Sequence, residues 1–273
     1  MMKNQTDMPG ERSTETISMK LKVRYFRKCV NWGDALNPYL LKKLTASEIE
    51  PYSEAERDIG THLLAVGSVL HWATPDSVIW GTGAISATTA LACAPKQILA
   101  VRGPLTQAIC SRDGIACPTI YGDPALLMPT VYRPACSIEH PIGIIPHYVD
   151  KDSAFVARCR DHGLTVIDVL SDVEHFVDQV VRCSGILSSS LHGLICADAY
   201  GVPSRWIQIS DRVLGKGFKF RDYYASLGVD EDPVHVDSQT SFRTINKIPR
   251  PRAVPVDLDA LRQVLLNFIE TNA

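Results

Sequence analysis

The feature that most constrains the fold of this chain is a recurrence of short apolar runs, at residues 23–26, 63–66, 77–80, 97–101, 142–145, 165–169, 185–187 and 205–209. Each run is the length of a buried strand, and stretches of helical character lie between them. That alternation predicts parallel sheets flanked by helices, the α/β class. Prolines at 118, 124, 129, 134 and 141 interrupt the series. A density of this kind suits neither a helix nor a central strand, so it predicts a linker between two Rossmann-like halves.

At 273 residues the chain can hold one large α/β domain or two of about 100 to 130 residues each. The expected division is a disordered tail over 1–20, a first domain over 21–133, a second over 134–255 and a C-terminal helix over 256–273. In that last segment Leu258, Leu261, Val264, Leu265, Phe268 and Ile269 share one helical face, which must pack on something, and the first half is the expected partner.

A formal net charge of -2 leaves no electrostatic footprint for nucleic acid, so that partner class is excluded. The first twenty residues hold no apolar stretch of signal-peptide length, and the longest apolar run, 63–70, is far short of a membrane span. Eight cysteines stand without a CxxC pair or a histidine-rich cluster. They read as reduced thiols of a cytoplasmic protein, with no metal site.

The candidate chemistry lies at strand ends. The run Ser188-Ser189-Ser190-Leu191-His192-Gly193 places hydroxyls and an imidazole where a buried strand turns into a helix. His192 is expected in the first helical turn, beside free amides and the positive end of the helix dipole, where an anion is favoured. The plainer reading is that Ser190 caps the helix and His192 packs. After the first run, Asn31-Trp32-Gly33-Asp34 precedes Asn37-Pro38, with Asn37 read as a helix cap and Pro38 as the first helical residue. Asp34 is then either a general base at the sheet edge or a loop carboxylate bonded to neighbouring amides. Gly81-Thr82-Gly83 is a weak turn signal. Arg102, at a strand end before a helix opened by Pro104, either holds an anionic ligand bidentately or makes a structural ion pair. His147 ends another strand. The segment from Lys216 to Tyr224 mixes Lys216, Lys219 and Arg221 with aromatic residues, reading either as a clamp for an anion or sugar ring or as a solvated helix start capped by Asp222.

Taken in order, Asn31-x-Gly33-Asp34, Gly81-Thr82-Gly83, Arg102-Gly103-Pro104, Gly122-Asp123-Pro124, Ile145-Pro146-His147-Tyr148, Ser189-Ser190-Leu191-His192-Gly193 and Lys219-Phe220-Arg221-Asp222-Tyr223-Tyr224 resemble the polysaccharide pyruvyl transferase family, over nearly all of residues 23–228. The resemblance implies two Rossmann-like domains facing across a cleft, similar to GT-B glycosyltransferases. It implies transfer of the pyruvyl unit of phosphoenolpyruvate onto two hydroxyls of a sugar, in a polysaccharide or lipid-linked oligosaccharide, giving a cyclic ketal and phosphate without a further cofactor. A lipid-linked acceptor would bring the protein to the inner face of the cytoplasmic membrane as a peripheral contact. In these terms His192 is the acid, Asp34 the base and Arg102 the third catalytic group. Donor contacts fall to Arg102, Ser189, Ser190, His192, Lys219 and Arg221, and acceptor contacts to Asn31, Asp34, Asn37, Gly81, Gly83 and His147. Some members of the family carry Arg where this chain has Ser190, so Lys219, Arg221 or helix-end amides must supply the missing cation. Two other classes remain at this stage: a GT-B-like glycosyltransferase using a nucleotide sugar, and a non-catalytic glycan-binding relative.

Overall fold

A computed structural model describes residues 20–53, 60–245 and 247–272. The expected tail therefore lies outside the described residues, except Lys20, which opens the first strand. The first half is a five-stranded parallel sheet built from β1 (Lys20–Val23), β2 (Glu48–Pro51), β3 (His62–Leu64), β4 (Ser77–Trp80) and β5 (Gln97–Ala100), in the order β2-β1-β3-β4-β5. The second half contains β6 (Gly143–Ile145), β7 (Thr165–Val166), β8 (Ile186–Ser188), β9 (Ser204–Gln208) and β10 (Val234–His235), also all parallel. Its order is β10-β9-β8-β6-β7. Counted from its own first strand, each sheet has the same doubly wound order, 2-1-3-4-5. In such a sheet the crevice for a ligand lies at the carboxyl ends of the strands where the winding reverses, here between β1 and β3 and between β6 and β8.

All eight apolar runs became strands, most of them trimmed or shifted by a residue or more, and two strands went unpredicted. β2 (Glu48-Ile49-Glu50-Pro51) and β10 are edge strands, half exposed, so neither carries the apolar signature of a central one. The first strand sits three residues earlier than expected. Tyr25 and Phe26 supplied its aromatic signal, but they follow the strand rather than form it.

Helices cover the sheets: α1 (Trp32–Thr45), α2 (Pro104–Arg112), α4 (Ala154–Asp161), α5 (Val173–Val181), α6 (Leu191–Ala199), α7 (Phe218–Ser226) and α9 (Leu258–Asn272), with single turns α3 (Met128–Val131) and α8 (Phe242–Ile245). The linker prediction needs a correction. Within 118–141 the chain makes a 3₁₀ turn over Pro124–Leu127 and then α3. Pro124 and Pro129 stand in first-turn positions, where no intrahelical N–H is needed. α9 returns to the first half as expected: Leu261, Leu265 and Phe268 are buried, and the Trp80 indole donates to the Leu261 carbonyl at 2.8 Å.

One apolar cluster runs through both halves, from Val23, Leu36 and Trp80 to Ile145, Phe176 and Trp206. Trp32 of α1 crosses between them, stacking on Phe176 of α5 with centroids 5.0 Å apart and donating its indole N–H to Val173 O at 3.0 Å. Tyr39 of the same helix donates to Glu174 at 2.6 Å.

Candidate active site

α1 begins earlier than the sequence suggested. Asn31, not Asn37, is its cap: its side chain accepts from the amides of Gly33 and Asp34, while Asp34 accepts from the Asn31 amide at 3.3 Å and from its side-chain amide. This reciprocal capping box fixes Asp34 in the first helical turn rather than in a loop. Pro38 therefore lies inside the helix, where it cannot donate to the Asp34 carbonyl. Asn37 repairs that loss by donating its side-chain amide to Asp34 O at 3.2 Å and to Val66 O at 3.0 Å, while accepting from Val66 N at 2.9 Å. Buried and fully bonded, Asn37 joins α1 to the end of β3 and presents nothing to a ligand. Burial pushes the Asp34 carboxyl up to about 6, against the opposing pull of His192, the Asn31 amide and Lys219.

The Ser188–His192 turn folds as the sequence indicated, with β8 running directly into α6. The hydroxyl that shapes it is Ser188, which donates to Ile145 O and Ser190 O and accepts from Ser190 N. Ser190 occupies the cap position, but its side chain makes no capping bond. The amides of Leu191, His192 and Gly193 have no acceptor among the described residues. Ser189 is engaged on both sides, accepting from His147 N at 2.9 Å and donating to buried Asp150 at 3.2 Å.

The His192 ring, whose side chain is 13% exposed, is gripped from the first half. Its Nε2 lies 3.5 Å from Asp123 Oδ2, and both atoms are buried with no hydrogen-bond partner. Its Nδ1 edge lies over Gly33, so close that a Cβ there would stand 2.0 Å away. Asp123 is held by its other oxygen, which accepts from Ala125 N at 3.0 Å. Within the Gly122-Asp123-Pro124 motif the sequence alone assigns Asp123 no role. An acid at a strand end, before a proline, was the available signal.

Lys219 comes from the first turn of α7, half-buried; its ammonium lies over the Phe220 ring, 5.5 Å from the centroid, and has no hydrogen-bond or ion-pair partner among the described residues. Burial and the positive charge of Arg102 pull its ammonium down to about 8, with Asp34 opposing. Burial and the charges of Lys219 and His192 press His147 down to about 3, so its imidazole is neutral near pH 7. Asp34, His147, His192 and Lys219 are thus within electrostatic reach of one another. Three of them stand just beyond the two winding reversals, after β1, β6 and β8.

The remaining residues named from sequence lie elsewhere. Arg102 is fully buried: Nε donates to Asp222 Oδ2 at 2.9 Å, one Nη to Ser68 Oγ at 2.8 Å and the other to Ala84 O at 2.7 Å. This is the structural ion pair of the alternative reading. Asp222 does cap a helix, but not its own. It accepts from the amide and hydroxyl of Thr106, at 2.8 and 2.6 Å, and so closes the N-terminus of α2, whose cap residue Gly103 has no side chain. Gly83 packs on the Arg102 guanidinium, and Gly81, at φ 82°, packs on Pro124. Arg221 is turned away, over the Trp206 ring and onto Asp232 at 2.6 Å. Among the described residues no group of His, Cys, Asp or Glu could hold a metal ion, and no helix is long and apolar enough to cross a membrane.

Two doubly wound halves that share a core and bring a histidine and a lysine within electrostatic reach of one buried carboxylate describe an α/β protein with a polar cluster where its halves meet. Comparison with known proteins gives the class a name. Residues 76–211 match the model of the polysaccharide pyruvyl transferase family. The chain is 30% identical over 226 residues to the succinoglycan biosynthesis protein ExoV of Rhizobium meliloti, covering 80% of this chain and 68% of that one. It is also 30% identical over 230 residues to an uncharacterised protein of Acanthamoeba polyphaga mimivirus, covering 81% and 79%. A crystal structure of a functionally uncharacterised Klebsiella pneumoniae protein aligns with a TM-score of 0.47 at 11% identity, over 80% of this chain and 92% of that one. The chain belongs to the polysaccharide pyruvyl transferase family.

Proposed function

We propose that this protein transfers the pyruvyl group of phosphoenolpyruvate to two hydroxyls of a sugar, in a polysaccharide or lipid-linked oligosaccharide, forming a cyclic ketal and releasing phosphate. The observation that carries this reading is that the Lys219 ammonium, which has no ion-pair partner among the described residues, and His192 both act on buried Asp34, while the His192 helix opens with three amides that lack an acceptor. A cation and a helix N-terminus together favour a small, highly charged anion. Lys219 then takes the place of the arginine that Ser190 does not supply. The Ser190 hydroxyl, free of internal partners, is available to the same anion. The two doubly wound halves are read as a GT-B-like arrangement working in the cytoplasm, at the inner membrane face where the acceptor is lipid-linked.

The chemistry divides between the halves. His192 gives a proton to the methylene carbon of the enol phosphate, making the adjacent carbon electrophilic, and Asp34 removes the proton of the attacking sugar hydroxyl. The second hydroxyl then displaces phosphate, and its proton leaves with that group. Of the two hydroxyl protons, one restores the proton given to carbon and one departs with phosphate, so the protein is unchanged. A base near pKa 6 is better matched to neutral pH than an ordinary aspartate. Asp123, beside Nε2, holds the ring so that its Nδ1 edge faces the α1 side where Asp34 stands. Arg102 is assigned as a positioning residue that holds α7, and therefore Lys219, against the first half.

The reading is tested by incubating purified protein with phosphoenolpyruvate and candidate glycans while following phosphate release and the ketal methyl signal by NMR. Sugar-dependent phosphate release with a matching ketal is expected. Turnover of a nucleotide sugar without any ketal would sink the proposal.

A further inference from the structure

Within the second half, bordered by Ser189 of the turn that carries His192, a cavity of about 500 Å³ opens between the carboxyl end of β9, the loop after it and the start of α7. Its base is the buried pair Trp206 and Phe220, stacked on each other with centroids 4.4 Å apart and offering the cavity little more than their edges. One wall is polar. Gln208 Nε2 donates to Asp211 Oδ1 at 2.7 Å, leaving the Gln208 side-chain oxygen Oε1 and the second Asp211 oxygen without described partners. Lys216 borders the same space at φ 47°, a left-handed backbone that a side-chain-bearing residue adopts only at a cost and that tends to mark functional loops. Ser189 closes the side toward the His192 turn, and Asp150 ties it to the far wall by accepting from both Ser189 and Ser210.

The donor does not suit this space. Phosphoenolpyruvate is a three-carbon polyanion, whereas the wall sets one carboxylate, Asp211, against one ammonium, Lys216, and so offers no net charge. Its charges are answered on the other side of Ser189, by Lys219 and the α6 amides. A wall of hydrogen-bonding amide, carboxylate and hydroxyl groups beside an apolar base instead suits a neutral ligand with adjacent hydroxyls, each able to donate and accept. We propose that this cavity is a saccharide subsite for the acceptor chain, placed on the second half beside the donor turn. The proposal rests on the pyruvyl-transfer reading for its geometry of use. It moves the acceptor away from Asn37, Gly81 and Gly83, which are committed to internal packing.

Saturation-transfer NMR with lactose, maltose and cellobiose tests it on the wild-type protein, Gln208→Ala and Asp211→Asn, with phosphoenolpyruvate affinity followed separately by phosphorus NMR. At least one disaccharide should bind, and both substitutions should weaken it tenfold or more while changing phosphoenolpyruvate affinity less than twofold. The subsite is refuted if no disaccharide binds the wild type, if binding survives both substitutions, or if they weaken phosphoenolpyruvate tenfold. A wild type that binds a disaccharide at this wall but not phosphoenolpyruvate would support the subsite and sink the donor assignment instead.

Discussion

Removing Arg102 should damage the fold before it damages donor binding. Its guanidinium and the Asp222 carboxylate are both 0% exposed, and every nitrogen of the fork already has a protein partner. Deleting one member of a buried ion pair leaves the other charged and uncompensated, which costs about 3–5 kcal/mol. For a chain of this size each kcal/mol lowers Tm by about 2–4 °C, so Arg102→Ala or Asp222→Ala should melt about 6–20 °C below wild type. The paired substitution Arg102→Met with Asp222→Leu should melt higher than either single variant, because it leaves no orphaned charge. Thermal unfolding followed by circular dichroism, with and without phosphoenolpyruvate, makes the comparison. If Arg102→Ala instead melts within 2 °C of wild type and loses only the stabilisation conferred by phosphoenolpyruvate, the guanidinium is a donor ligand and the structural assignment is wrong.

Other outcomes follow from the same geometry. Gly33→Ala should lower Tm, since its Cβ would overlap the buried His192 ring at a cost of about 1–3 kcal/mol, and should lose about 100-fold in kcat as the ring is displaced; unchanged turnover would remove His192 from the chemistry. The pH profile of kcat/KM should rise through about 6 as Asp34 ionises and fall through about 8 as Lys219 loses its proton, and Lys219→Arg should shift only the alkaline limb upward. The raised Asp34 value also means that its contribution to stability is present at low pH and lost as pH rises through about 6, so the Tm of Asp34→Asn relative to wild type should improve between pH 5 and pH 8. Asp123→Asn should lower kcat more than KM and change the ¹⁵N signature of the His192 ring; an unaltered ring spectrum would show that Asp123 does not hold Nε2.

Central strands and the turn carrying His192 were legible because their signals are local: apolar runs flanked by glycine, proline and serine. The edge strands β2 and β10 were not, since a half-exposed strand has no unbroken apolar run. The start of α1 was misread because Pro38 is a strong local start signal, and only the tertiary bond from Asn37 to Val66 and the repair of the Asp34 carbonyl make it tolerable mid-helix. Asp34, His147, His192 and Lys219 could be named individually, but their convergence depends on both sheets reversing at equivalent points. Arg102 and Asp222, 120 positions apart, carried no sequence sign of being partners. Each had a reasonable local role, and the long-range pairing displaced Asp222 from capping its own helix to capping another.

That borrowed cap has a mechanical consequence. α2 has no N-terminal side chain of its own, Trp32 rests on the opposite half, and a buried charge pair crosses the boundary. Neither half, expressed alone, would retain a closed α2 or a compensated Arg102, so the chain cannot be cut at the proline-rich segment into autonomous pieces. The same three ties oppose any opening of the two halves about the proline-rich segment, since separating them would expose the Trp32 stack and strand a buried charge.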